Sequence, residues 1–143
     1  MECPLPPAAR LHPRRLAETA VERLGRAVVV RWCEEVLAGN AGPGDDGDPP
    51  WGWIGGSAEW DEYWHRTWAA RTLLHIGPPD RPGVVLAALD DPHWRVREMA
   101  LKVIRAHGLD DPGGKVEDLL GDENHRVRAA AARVLETEFG AGS

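Results

Sequence analysis

The stretch "WIGGSAEWDEYWHRTWAA" (53–70) crowds tryptophan against titratable groups, and with Trp51 just upstream it holds five of the chain's seven tryptophans. Trp60, Trp64 and Trp68 follow i, i+4, i+8, which lines them along one face of a helix. Indole faces attract cations, and Glu59, Asp61 and Glu62 stand beside them. Walls of Trp51, Trp53, Trp60, Trp64 and Trp68 under a loop would therefore suit a cationic small molecule, or a Lys or Arg from a partner. His65 would be the titratable group of such a pocket, with Asp61 or Glu62 as its acid/base companions if the site is catalytic. A plainer expectation stands beside this one: the tryptophans pack on each other and His65 is a satisfied core histidine. Each buried indole removes roughly 200 Å² from water, which is ample to pin a glycine-rich loop.

Other chemistry is weakly signalled. "DDGD" (45–48) lacks the glutamate and the spacing of a calcium loop. Cys3 and Cys33 have no metal-ligand spacing and read as free thiols in a reducing cytosol. His12, His93 and His125 open corresponding helices and read as helix starts, not as metal ligands. No phosphate loop, G-x-S-x-G or H-E-x-x-H occurs, so neither a metal nor a cofactor is expected.

The elements that position these residues are repeats. "LDDPHWRVREMALKVIRAHG" (89–108) superposes on "LGDENHRVRAAAARVLETEF" (120–139) at a shift of 31. Asp91 falls on Asp122, Arg95 on Arg126, Val96 on Val127, Arg97 on Arg128 and Ala100 on Ala131. The same shift backwards places Arg66, Ala69, Leu73 and Gly77 under Arg97, Ala100, Ile104 and Gly108. Arg14, Ala17, Val21 and Gly25 keep that internal spacing, offset from Arg66 by 52, one repeat plus 21 residues. The extra length falls in 39–59, a Gly-, Pro- and Asp-rich inserted loop. Val96, Met99, Ala100, Val103 and Ile104 recur at helical spacing, and shorter helices precede the last two copies. The expectation is a single all-α domain over 1–143, a short right-handed solenoid of about seven helices. Its parts are 12–25, 26–38, the loop 39–59, then repeats 60–77, 81–108 and 112–138.

The motif "DPHWRVREMA" (91–100) with "DENHRVRAAA" (122–131) resembles the HEAT-repeat family, in particular the short HEAT-like repeats of phycobilisome lyases. The resemblance spans roughly residues 12–138. It implies that Asp91 with Arg97, and Asp122 with Arg128, belong to a hydrogen-bonded ladder between neighbouring repeats, a structural role. It implies a binding scaffold, and it does not bring bilin chemistry with it.

The second copy departs from its siblings: Trp60 replaces the ladder aspartate, Trp64 the arginine of Arg95, His65 the valine of Val96, and Thr72 that of Val103. Loop 39–59 is expected to fold over this repeat. On the expected concave wall, Tyr63 aligns with Trp94 and His125, Ala70 with Leu101 and Ala132, and Leu74 with Arg105 and Glu136. Trp94, Leu101 and Leu74 are apolar where a bare scaffold would place charge, which marks a contact strip.

Charge is uneven: residues 1–31 carry a net +3, residues 32–62 a net −8 and residues 63–143 a net −1. An acidic chain argues against general nucleic-acid binding. HEAT-like glycosylases use arginine-rich concave faces, and Arg66, Arg97 and Arg128 with Trp94 bear a faint similarity. No apolar run approaches a membrane span, and the N-terminus has no secretory h-region, so a cytoplasmic protein is expected. The reading is a non-enzymatic adaptor or inhibitor of one protein partner, using the concave face and the acidic, Trp-rich loop. The alternative is a small-molecule or catalytic site around His65.

Overall fold

Gly25 alone joins the first two helices, α1 (Pro13–Leu24) and α2 (Arg26–Leu37). Its φ of +89° is open to glycine and strained for other residues. Its N–H closes α1 on Val21 O at 2.9 Å, and its carbonyl opens α2 by accepting from Val29 N–H at 3.1 Å. The computed structural model describes residues 5–7, 11–40, 49–55 and 61–140, the side chains of 138–140 excepted. The remaining helices are α3 (Glu62–Ile76), α4 (Pro82–Ala87), α5 (Trp94–His107), α6 (Lys115–Asp118) and α7 (His125–Gly140). Tight 3₁₀ turns lie at Trp51–Ile54, Ala88–Asp90 and Leu119–Gly121.

Among the described residues the chain is all-helical, a short helical solenoid. The long helices α1, α3, α5 and α7 pack side by side, while α2, α4 and α6 back α3, α5 and α7. One continuous core runs the length of this stack, from Ala20, Val29 and Val30 through Leu73, Val85 and Val103 to Val127 and Val134. Ala69, Ala100 and Ala131, one repeat position, are fully buried. Their small side chains let consecutive long helices approach closely.

Neighbouring repeats are tied by ion pairs that run forward along the chain. Arg66 donates to both carboxylate oxygens of Asp91, through Nε at 2.7 Å and Nη2 at 3.2 Å. Arg97 pairs with Asp122, donating through Nη2 to Oδ1 at 3.2 Å, while its Nε lies 3.1 Å from Oδ2 without a hydrogen bond. The residues six apart meet differently, for Arg97 Nη1 donates to the backbone carbonyl of Asp91 at 2.8 Å and Arg128 Nη1 to that of Asp122 at 2.7 Å. The side-chain partner of each aspartate is thus the arginine of the preceding copy. The same aspartates hold the capping residues of their own helices, accepting from His93 N–H and Asn124 N–H at 2.9 Å.

The histidines at helix starts divide. Nδ1 of His12 accepts from Arg14 N–H, and Nδ1 of His93 from Arg95 N–H, each at 3.2 Å. In the last repeat that role falls to Asn124, whose Oδ1 accepts from Arg126 N–H at 2.9 Å. His125 is instead the first helical residue, one position past the cap.

Candidate interaction face

Trp51, Trp53 and Ile54 form a short strap that enters the core instead of lying over it. Trp53 and Ile54 are each 1% exposed and Trp51 8%. Trp51 meets α3 at His65, which lies between Trp64 and Trp68 in the chain. It stacks on His65 at 4.0 Å between ring centroids, with planes 6° apart, and its ring lies 5.8 Å from Trp32 of α2. Trp32 therefore joins the aromatic column from α2, a helix that the sequence located without linking it to this cluster. Arg71 clasps the strap, donating through Nη2 to Ile54 O at 3.3 Å while lying over the Trp68 ring. Pro6 closes the other side, so near Gly52 that a Cβ there would meet its ring at 2.6 Å.

The departures of the second repeat follow from this packing. Helix α3 touches α1, α2, α5 and the strap. Polar residues on its buried positions are satisfied locally: Thr67 Oγ1 donates to Tyr63 O at 2.7 Å and Thr72 Oγ1 to Trp68 O at 2.9 Å. Cys33 is a buried free thiol whose pKa burial pushes up, which leaves it un-ionised and unreactive. His65 is buried under the Trp51 ring, whereas Asp61 and Glu62 are exposed to solvent. Trp60, Glu59, Cys3 and the "DDGD" run lie outside the described residues. Among the described residues no His, Cys, Asp and Glu side chains converge as a metal site requires. No helix of the described residues is long and apolar enough to cross a membrane.

The sequence-expected contact strip divides in two. Tyr63, Trp64 and Trp94 are half-buried on the long helices. Trp68, stacked on Trp64 at 5.3 Å, is 8% exposed. Leu101 is fully buried and is corrected from surface contact to core. The repeat alignment gave α5 one buried stripe, but α5 is flanked by α3 and α7 as well as backed by α4, so its sides are buried too.

The half-buried rings alternate with guanidinium groups. Arg95 sits over Trp64 at 4.6 Å and over Trp94 at 4.4 Å, and Arg126 approaches Trp94 at 5.6 Å from the next repeat. Tyr63 stacks on His93 at 3.6 Å. Arg126 is held by Glu98 at 3.1 Å. Two of the rings that the sequence offers to an external cation, Trp64 and Trp68, are therefore approached by the chain's own Arg95 and Arg71. Trp64 standing where Arg95 and Arg126 stand in the later copies begins this stack. The ladder arginines Arg66 and Arg97 are taken up by Asp91 and Asp122, away from any backbone phosphate.

Below the rings a groove of about 460 Å³ opens between α3, α5 and α7. Leu74, Ala106 and Ala130 line it with Leu101 beneath, and Lys102, Arg105 and Arg133 edge it. Of these cations sequence reasoning noticed only Arg105. The signal was present, since Arg71, Lys102 and Arg133 share one repeat position at the shift of 31.

A family model described as HEAT repeats matches residues 58–136. No curated protein and no solved structure matches the chain.

Proposed function

The chain belongs to the HEAT-repeat family, and on that premise we propose that it is a non-enzymatic adaptor or inhibitor that takes one protein partner on the outer face of α3, α5 and α7. HEAT repeats commonly mediate protein–protein interaction. The observation that carries the reading is the row Trp64, Arg95, Trp94 and Arg126, in which half-buried rings and guanidinium groups from three repeats form one continuous surface. Large rigid rings beside arginine are the composition of interface hot spots. The loop tryptophans Trp51 and Trp53 are buried in the core, so they enter the function indirectly. The alternative, a small-molecule or catalytic site at His65, has less support because Trp51 covers that ring.

A photo-reactive residue placed at Ala129 tests this reading. Ala129 is exposed on α7 between Arg126 and Arg133, and exposed Ala27 of α2 serves as the control on the opposite layer. In the cells of origin, position 129 is expected to cross-link a polypeptide and position 27 is not. Cross-links to nucleic acid, or only from position 27, would overturn it.

A further inference from the structure

We infer that the groove between α3, α5 and α7 receives an acidic amphipathic segment of the partner protein. The inference rests on the protein-binding reading above and specifies the chemistry that face selects.

Several arginines of this chain are answered by its own carboxylates: Arg66 by Asp91, Arg81 by Glu34 and Glu35, Arg97 by Asp122, Arg126 by Glu98. The groove is different. No described carboxylate lines it. Among the described residues Lys102 and Arg133 have no ion-pair partner, and Arg105 Nε has only the neutral hydroxyl of Thr137, at 3.0 Å. Three uncompensated cations thus surround an apolar floor on a chain whose net charge is −6. An occupant must supply both halves: apolar side chains for Leu74, Ala106 and Ala130, and carboxylates for the edge. A helix with an apolar stripe and flanking Asp or Glu does this, since residues at i, i+3 and i+4 share one face. Its acidic sign also matches the encounter, because carboxylates are attracted to the cations that edge the groove. A nucleic-acid strand would satisfy the cations but leave the apolar floor covered by sugar and phosphate.

The test is selection of short random peptides, about a dozen residues long, on the full chain, followed by fluorescence anisotropy of those recovered. Peptides with net negative charge and large apolar residues at helical spacing are expected. Lys102→Glu with Arg133→Glu is expected to weaken them at least about tenfold, and added salt to weaken them as well. Ala106→Trp, on an exposed position, is expected to plug the groove with the same effect. Circular dichroism melts of all variants should match the parent. Recovery of basic or uncharged peptides, recovery of none, or affinity unchanged in either variant overturns the proposal. So does displacement of the bound peptide by an oligonucleotide whose own binding needs Lys102 and Arg133. A cross-link from position 129 that persists in the Lys102→Glu, Arg133→Glu chain would leave the protein-binding reading standing while removing this groove from it.

Discussion

Asp91 carries two duties at once, and its replacement should show both. Its carboxylate accepts from His93 N–H and receives the paired guanidinium of Arg66, with only 9% of its side chain exposed. Asp91→Ala strands a largely buried arginine and leaves the N–H of the capping residue His93 without its acceptor. The expected loss is roughly 3 kcal/mol by denaturant unfolding, the scale for breaking a buried pair from one side. Asp91→Asn keeps an acceptor for His93 and should lose less; equal losses would mean that the ion pair contributes nothing. His93 gives a pH dependence of defined sign. Its Nδ1 must be unprotonated to accept from Arg95 N–H, and burial, then Arg95, hold its pKa below the usual 6.5. The unfolded chain therefore binds the proton first as pH falls. Stability is complete above about pH 6.5 and is lost below it. His75, lowered by burial with Arg14 and Arg71, contributes with the same sign. His93→Asn keeps the acceptor, as Asn124 does in the next repeat, and should flatten part of this slope. An unchanged slope would place the effect elsewhere. His65 is the residue where sequence comparison and packing disagree most. Restoring the valine of Val96 and Val127 looks stabilising from the repeat alone, yet His65 is stacked flat on Trp51. His65→Val is expected to lower stability by about 1 kcal/mol, the worth of such a ring pair; a rise in Tm would show that the stacking is incidental.

The strap and α3 form the element that the sequence disclosed least. Periodicity located α3, and the tryptophan density announced that something packs on it. What could not be read was the partner of Trp51, because Trp32 is distant in sequence and its helix was recognised only by its place before the insertion. Leu101 failed for a related reason. Hydrophobic periodicity assigns one buried face to a helix, whereas α5 has neighbours on three sides. The inserted loop was expected to fold over the second repeat, and its described part goes further, since Trp51, Trp53 and Ile54 belong to the central core. Trp51→Ala should cost about 3–5 kcal/mol, as for other buried large-to-small changes. Arg71→Ala should loosen the strap with a smaller loss of stability, seen as faster hydrogen exchange at Trp53 and Gly55, whose amides bond Pro50 O and Gly52 O. Exchange there unchanged from the parent would mean that Arg71 does not hold the strap.

At the scale of the whole molecule, the repeat was legible because its device is local: an aspartate that holds its helix's capping residue and an arginine six positions on, repeated every 31 residues. The direction of the ladder was not, since the Arg66–Asp91 and Arg97–Asp122 pairs span 25 residues between copies. The interaction face was legible in its rings and hidden in its cations, because net charge averages a basic patch into an acidic chain. A solenoid in which each repeat touches only its neighbours also predicts how damage spreads. Ala100 lies in α5, between α3 and α7, whereas Ala131 lies in the last helix, packed on α5, α6 and the turn Leu119–Gly121; both are fully buried. An aspartate at either place buries a charge without a partner. Ala100→Asp breaks the stack in the middle and should abolish the cooperative melt altogether. Ala131→Asp should release α6 and α7 while the strap, α3 and α5 remain folded. Hydrogen exchange would then show lost protection from about Lys115 onward with Leu73 and Val103 still protected. Global loss of protection in Ala131→Asp would mean that the last repeat folds as one unit with the strap and not as the end of a row.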